Sequence, residues 1–278
     1  MKIITRRVSG PQLIAPFGDV QYSGSDPAIQ GGCSIKGFSS HLKWLRTMST
    51  RLGATLSLIS VGDHVDLMSP SNREGYNRAG IYSTAKRAIS FYFGTIVDEL
   101  ADIVLEYIKP EEVVNVMYGH HWFTYDGGAH RDTEHHLAER FGGVPVVEAS
   151  VYIEYKFPGT QYNVLAQHGV GNGASLAYGL NKLDKLSGGF EGVHAFVQGH
   201  VHKLGAIKKA KLSIGHGDIV HKDVQLVTTG AFLRGWKKDE ALYPEVGGMS
   251  PLPIGGAAIL VEEDDSTPEG HTSVVMLR

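Results

Sequence analysis

Cysteine is nearly missing. Cys33 is the lone thiol in 278 residues, so no internal disulfide framework can form, and the usage fits a reducing compartment. Long apolar runs are missing too; none approaches the roughly 18 residues that a membrane-spanning helix needs. The opening MKIITRRVSG is basic but leads into no apolar stretch, which does not match a secretory signal. Neither sign of charge dominates. The formal net charge is −3 with 20% charged residues, which gives no reason to expect a generally basic nucleic-acid-binding face. Low-complexity tracts, internal repeats and long Pro/Ser/Gly linkers do not occur. A cytoplasmic protein with no membrane partner, folded as one domain over residues 1–278, is the expectation. Composition leaves the oligomeric state open.

Glycine and histidine are what the chain has in plenty, 35 and 14 residues respectively. Many glycines imply many tight loops. Histidines set beside glycine and aspartate suggest metal ligands or proton carriers. Five segments share one plan: an apolar run, a small residue, then a polar His or Asp. They are LIAPFGDVQ (13–21), GATLSLISVGDHVD (53–66), EEVVNVMYGHH (111–121), QYNVLAQHGVG (161–171) and VHAFVQGHVHK (193–203). Each reads as a buried strand running into a loop. Between them, residues 89–109 carry apolar positions at helical spacing and stop before Pro110, and DTEHHLAERFGG (132–143) reads as a shorter helix ended by glycines. Residues 69–80, SPSNREGYNRAG, read as a polar loop. Residues 211–236 and 255–278 read as antiparallel strands joined by Gly/Asp/Pro turns. The class expected is α/β, strand-rich at its C-terminal part.

Polar residues at strand ends of an open α/β sheet gather at one edge, where sites form. Here they are Asp19 and Gln21, Asp63, His120 and His121, His168, and His200 with His202. Carboxylates and imidazoles together suit borderline divalent metals.

The blocks FGDVQ, VGDHVD, YGHHW, AQHGVG and QGHVH, in that order over residues 18–202, resemble the ordered signature of the calcineurin-like metallophosphoesterases. That resemblance implies a four-layer α/β/β/α sandwich of two mixed sheets flanked by helices, around two divalent ions (Mn, Fe, Zn or Ni). It implies that Asp63 bridges both ions, that Asp19 and His202 hold the first, and that His168 and His200 hold the second. His121 falls at the catalytic histidine, which binds no metal. The chain departs from the pattern twice: His120 stands where the family has Asn, and Gln21 where it has His. Imidazole is the better donor to such metals. The expectation is therefore a tight second site (Asp63, His120, His168, His200) and a looser first site (Asp19, Asp63, His202 and Gln21). Two adjacent strand residues face opposite ways, so both histidines reach the metals only if the chain turns after Gly119.

The activity implied is hydrolysis of a phosphomonoester or phosphodiester by metal-activated water. The alternatives are a nuclease related to this family's repair exonucleases, for which HKLGAIKKAKL (202–212) is the one candidate strand-binding patch, or a non-catalytic scaffold like the retromer subunit that shares the resemblance. Arg73 and Arg78 are candidates for a substrate phosphate, since Arg offers a bidentate fork. Outside the signature lie His64, Asp66, His130, His135, His136, His194, His216 and His221. Asp66 is read as orienting a metal ligand or capping a loop, and His135 and His136 as solvated.

Overall fold

Strands and helices alternate from the start of the chain: β1 (Lys2–Arg7), β2 (Gln12–Phe17), α1 (Ile35–Leu52), β3 (Thr55–Ser60), α2 (Pro70–Arg78), α3 (Ser83–Leu105), β4 (Val113–Met117), α4 (Thr133–Arg140), β5 (Val146–Val147), β6 (Ser150–Lys156), β7 (Gln161–Gln167), α5 (Tyr178–Ser187) and β8 (Ala195–Gln198). Four strands close it: β9 (Leu204–Gly215), β10 (Asp218–Thr229), β11 (Ala257–Glu263) and β12 (His271–Leu277). This computed structural model describes the chain except residues 26–31, 69, 127–129, 172, 174, 176, 216–217, 234–251 and 268.

The strands form two six-stranded mixed sheets, ordered β1-β6-β7-β8-β10-β9 and β12-β11-β2-β3-β4-β5. In the second, β2, β3 and β4 run parallel. Every residue of β2 (QLIAPF) and of β4 (VVNVM) is buried, as a strand covered on both faces requires. One inner face offers Ile14, Ile59 and Val114, and the other Ile153, Val164 and Val197; together they form the core between the sheets. On the outer side, Leu13, Leu56 and Leu58 pack with Phe38, Leu42 and Leu45 of α1 and with Leu100 and Val104 of α3. Leu183 of α5 closes the opposite outer face against Phe196 and Leu226. The result is the helix–sheet–sheet–helix sandwich.

Local chemistry sets the helix ends. Ser34 accepts from the Gly37 amide at the start of α1, and Gly53 ends that helix at φ 62°, a conformation glycine adopts without a Cβ penalty. Asp132 caps α4 by accepting from the His135 amide at 2.9 Å.

Three expectations need correction. Residues 70–78 form helix α2 rather than a loop, because Tyr76 gives this polar stretch an anchor: it is buried and meets Phe123 edge-on at 5.5 Å. Helix α3 begins at Ser83, six residues before the apolar spacing does. His136 is buried rather than solvated; it stacks on His130 at 3.8 Å and reaches Asp98 at 3.1 Å. The tail forms the β9–β10 and β11–β12 antiparallel pairs; His216 and residues 234–236 lie outside the described residues. The lysines of the 202–212 patch are largely engaged: Lys208 with Asp223, Lys209 with Asp184, and Lys211 with the Ser187 carbonyl. Among the described residues, no helix is long and apolar enough to cross a membrane.

Candidate metal centre and active site

The signature residues follow the C-terminal ends of five strands from both sheets. Asp19 and Gln21 come after β2, Asp63 after β3, His120 and His121 after β4, His168 after β7, and His200 and His202 after β8. Backbone hydrogen bonds lace these loops together. Asp19 N–H donates to Gly62 O at 3.0 Å, Gln21 N–H to Asp63 O at 3.1 Å, and Gly199 N–H to Gln167 O at 3.2 Å.

The backbone pays a conformational cost at these positions. Among the described residues, the non-glycine residues with positive φ are Asp19, Gln21, Asp63, His200 and His202, between 49° and 65°. Such a conformation costs about 1–3 kcal/mol at each and persists only where the surroundings impose it. All five belong to the ligand set that the sequence suggests. Two glycines allow the loops to close: a Cβ on Gly62 would lie 2.8 Å from Gly119 Cα and from His168 Nδ1, and one on Gly119 would collide with the Asp63 carboxylate.

One cluster consists of Asp63, His120, His168 and His200, whose ligand atoms lie within 4.8 Å of one another. His120 Nδ1 sits 3.1 Å from His168 Nε2 and 3.2 Å from His200 Nδ1. One ring nitrogen cannot satisfy two others at once by a single proton, whereas a shared cation satisfies all three lone pairs. His168 Nδ1 donates to Val61 O at 2.7 Å, which leaves Nε2 facing Asp63 Oδ2 at 3.3 Å; a carbonyl commonly fixes a ligand's tautomer in this way. Beside this cluster, His202 Nε2 lies 3.5 Å from Asp19 Oδ1 and 3.4 Å from Gln21 Nε2. Asp19 Oδ1 is wholly buried with no hydrogen-bond partner. A carboxylate oxygen left in that state is costly, and a cation beside it removes the cost. The Asp63, His120, His168 and His200 set therefore fits a divalent ion, with the Asp19 and His202 pair beside it.

Burial lowers His200 to about 4, with His168 and His120 adding to the effect, and lowers His120 as well. For His168, burial is outweighed by the hydrogen bond and charge of Asp63, and the imidazole is pushed up to about 9. Asp63, despite its own burial, is held well below the usual carboxylate range by His168 and His121.

The chain does bend at 120–121, directly after Gly119. The amides of His120 and His121 both donate to Asp63 Oδ1. The two imidazoles then diverge. His120 joins the metal cluster, while His121 Nδ1 meets Asp66 Oδ1 at 2.7 Å. Burial would lower the His121 pKa, but the hydrogen bond to Asp66 and the charge of Asp63 raise it. Asp66 thus contacts His121, which lies outside the expected ligand set, rather than a metal ligand.

Arg73 lies close by with its guanidinium directed at protein. Its Nη1 donates to His120 O at 2.9 Å and to Trp122 O, and it covers the Trp122 indole at 4.4 Å. Arg78 is exposed and paired with Glu74 one turn away. Both guanidiniums are engaged by protein groups.

Sequence reading passes over a polar web behind the loop. Tyr118 OH donates to Asp132 Oδ2 at 2.6 Å, and His135 Nδ1 meets Asp132 Oδ1 at 2.9 Å. Beneath it, burial pushes the Glu134 carboxyl up to about 8. Tyr118 and Trp122 flank the histidine pair in sequence, and that adjacency is the signal available.

No family model matches the chain, and no curated protein matches it. Solved structures do. A Streptococcus pneumoniae protein described as a predicted phosphoesterase is 12% identical, covers 96% of this chain and 98% of its own, and has a TM-score of 0.31. A hypothetical protein from Thermus thermophilus is 12% identical over 96% and 100%, with a TM-score of 0.38. Vps29 from Chaetomium thermophilum is 10% identical over 96% and 95%, with a TM-score of 0.26. Similarity at these levels adds nothing to the distances above.

Proposed function

We propose that this chain is a binuclear metal-dependent phosphoesterase of the calcineurin-like kind. The observation that carries the reading is the convergence of Asp63 with three imidazoles, next to a buried Asp19 oxygen that accepts no hydrogen bond and faces His202 at 3.5 Å. Asp63, His120, His168 and His200 would hold one ion; Asp19, Asp63, His202 and Gln21 would hold the other. Two bound divalent ions supply an acidified water and neutralise charge on the phosphoryl oxygens.

The chain's own groups do the rest. Asp63 and Asp19 each accept backbone amides, His120 and His121 for the first and His200 at 2.7 Å for the second, so both carboxylates are fixed before any substrate arrives. Asp66 holds His121 by Nδ1 and leaves Nε2 for a leaving oxygen. A pKa above the ordinary value keeps a proton on that ring closer to neutral pH, as a general acid needs. A scaffold has no use for an oriented His–Asp pair, which favours an enzyme.

The test is hydrolysis of a bis-aryl phosphodiester and an aryl monophosphate by protein loaded with Mn, Fe, Zn or Ni. Activity is expected to vanish on rigorous metal stripping and to return on reloading. Undiminished hydrolysis by stripped protein would overturn the mechanism.

A further inference from the structure

Beside the candidate centre lies a cavity of about 1010 Å³. That is the size of a site for an organic ligand, far more than one phosphate fills. His120 and Trp122 line it and His121 does not, because the chain turns the His121 ring away toward Asp66. The His121 ring is thus not part of the cavity wall. In the phosphoesterase reading, on which this inference rests, the departing oxygen faces His121. Whatever fills the cavity is then a substituent that stays on phosphorus. A monoester has none.

The walls specify its chemistry. Trp122 is braced by the Arg73 guanidinium on its ring and by Tyr118, whose ring meets it at 5.5 Å and 75°, so the indole is a fixed flat surface. Leu186 adds apolar area, and Glu148, Arg131 and Lys185 add an exposed hydroxyl-seeking carboxylate and two exposed cations. A braced aromatic ring takes a planar base by stacking, whatever the base's identity. A carboxylate suits sugar hydroxyls.

We propose that the substrate is a phosphodiester whose retained substituent is a nucleoside seated in this cavity, while the other alcohol departs on the His121 side. Water's oxygen forms the new bond to phosphorus, and the bond to the departing alcohol breaks with its electron pair. That alcohol oxygen takes the His121 proton. One proton of the water restores His121, and the other leaves the new monoester for solvent. The product kept is a nucleoside monophosphate.

Three esters share one leaving group and differ only in what remains: p-nitrophenyl phosphate, methyl p-nitrophenyl phosphate and thymidine 5′-(p-nitrophenyl phosphate). With the Mn-loaded full chain, kcat/KM for the thymidine ester should exceed that for the methyl ester by about tenfold or more. Trp122→Ala should bring that ratio toward one. Thymidine 5′-monophosphate should bind more tightly than inorganic phosphate by calorimetry, and Trp122→Ala should remove the difference. If Trp122→Ala does not fold, Val170→Trp serves instead: Val170 lines the cavity and is 63% exposed, so an indole there obstructs the cavity without entering the core, and the ratio should fall likewise. Equal turnover of methyl and thymidine esters, or fastest turnover of the monoester, overturns this inference and leaves the phosphoesterase reading intact. Hydrolysis of none of the three removes that reading and the inference with it.

Discussion

At the scale of single residues, the division of tasks proposed for His120 and His121 makes a prediction for each. Replacing His120 by Asn exchanges an imidazole nitrogen for a weaker amide oxygen in the cluster with Asp63, His168 and His200. Stepwise metal titration should show two unequal affinities in the parent and a narrower gap in His120→Asn; equal affinities in the parent would contradict the ligand assignment. His121 depends on Asp66 at 2.7 Å. Asp66→Asn should lower kcat about 100-fold or more, within the usual range for losing an oriented acid, with metal affinity and KM nearly kept. A KM effect alone would assign Asp66 to substrate binding. Gly119→Ala should be worse than either, because its Cβ collides with Asp63; loss of metal binding with a lowered Tm is the expected result.

At the scale of elements, much of the fold is legible before any coordinates. The strands ending at Phe17, Ser60, Met117, Gln167 and Gln198 announce themselves as apolar runs closed by a small residue, because a strand covered on both faces must be apolar throughout. Helix α2 is not legible: its polar sequence hides the buried anchor at Tyr76, and that contact with Phe123 is tertiary. His136 escapes for a similar reason, since a histidine pair on a short helix gives no sign of which one turns inward toward Asp98. The ordered site blocks can be read as a set. The role of Arg73 cannot, because it reaches across from α2 to carbonyls 47 and 49 residues away. Arg73→Ala should loosen the loop bearing His120 and His121, lowering kcat and the affinity of the histidine-rich ion site together, with Arg73→Lys partly restoring both. A pure KM rise in Arg73→Ala would instead return it to the substrate.

At the scale of the molecule, buried histidines make the metal-free protein acid-sensitive. Burial lowers His41 to about 3, and His64 and His194 to about 4, as it does His200. Their folded pKa values lie below the unfolded value, so their contribution to stability is full above about pH 6.5 and is lost as pH falls toward 4. Glu134, raised to about 8, acts oppositely: it adds stability below its unfolded pKa and loses it as pH rises through 8. Around pH 5 the histidines outnumber it, so these groups together should take up roughly three protons on unfolding. Denaturant titration between pH 7 and 5 should show falling stability, and a flat profile would mean these rings are hydrated. Metal affinity should also rise with pH up to about 9, where His168 gives up its competing proton.

The proposed ligand residues are drawn from both halves of the sandwich: Asp19, Asp63 and His120 from one sheet, His168, His200 and His202 from the other. A filled centre therefore rivets two slabs that otherwise hold together mainly by apolar contact. Sliding of one slab past the other must stretch coordination bonds, so occupancy should damp that slow breathing everywhere at once. Hydrogen exchange of the β3 and β7 amides, far along each strand from the rivet, should slow in concert when metal is added.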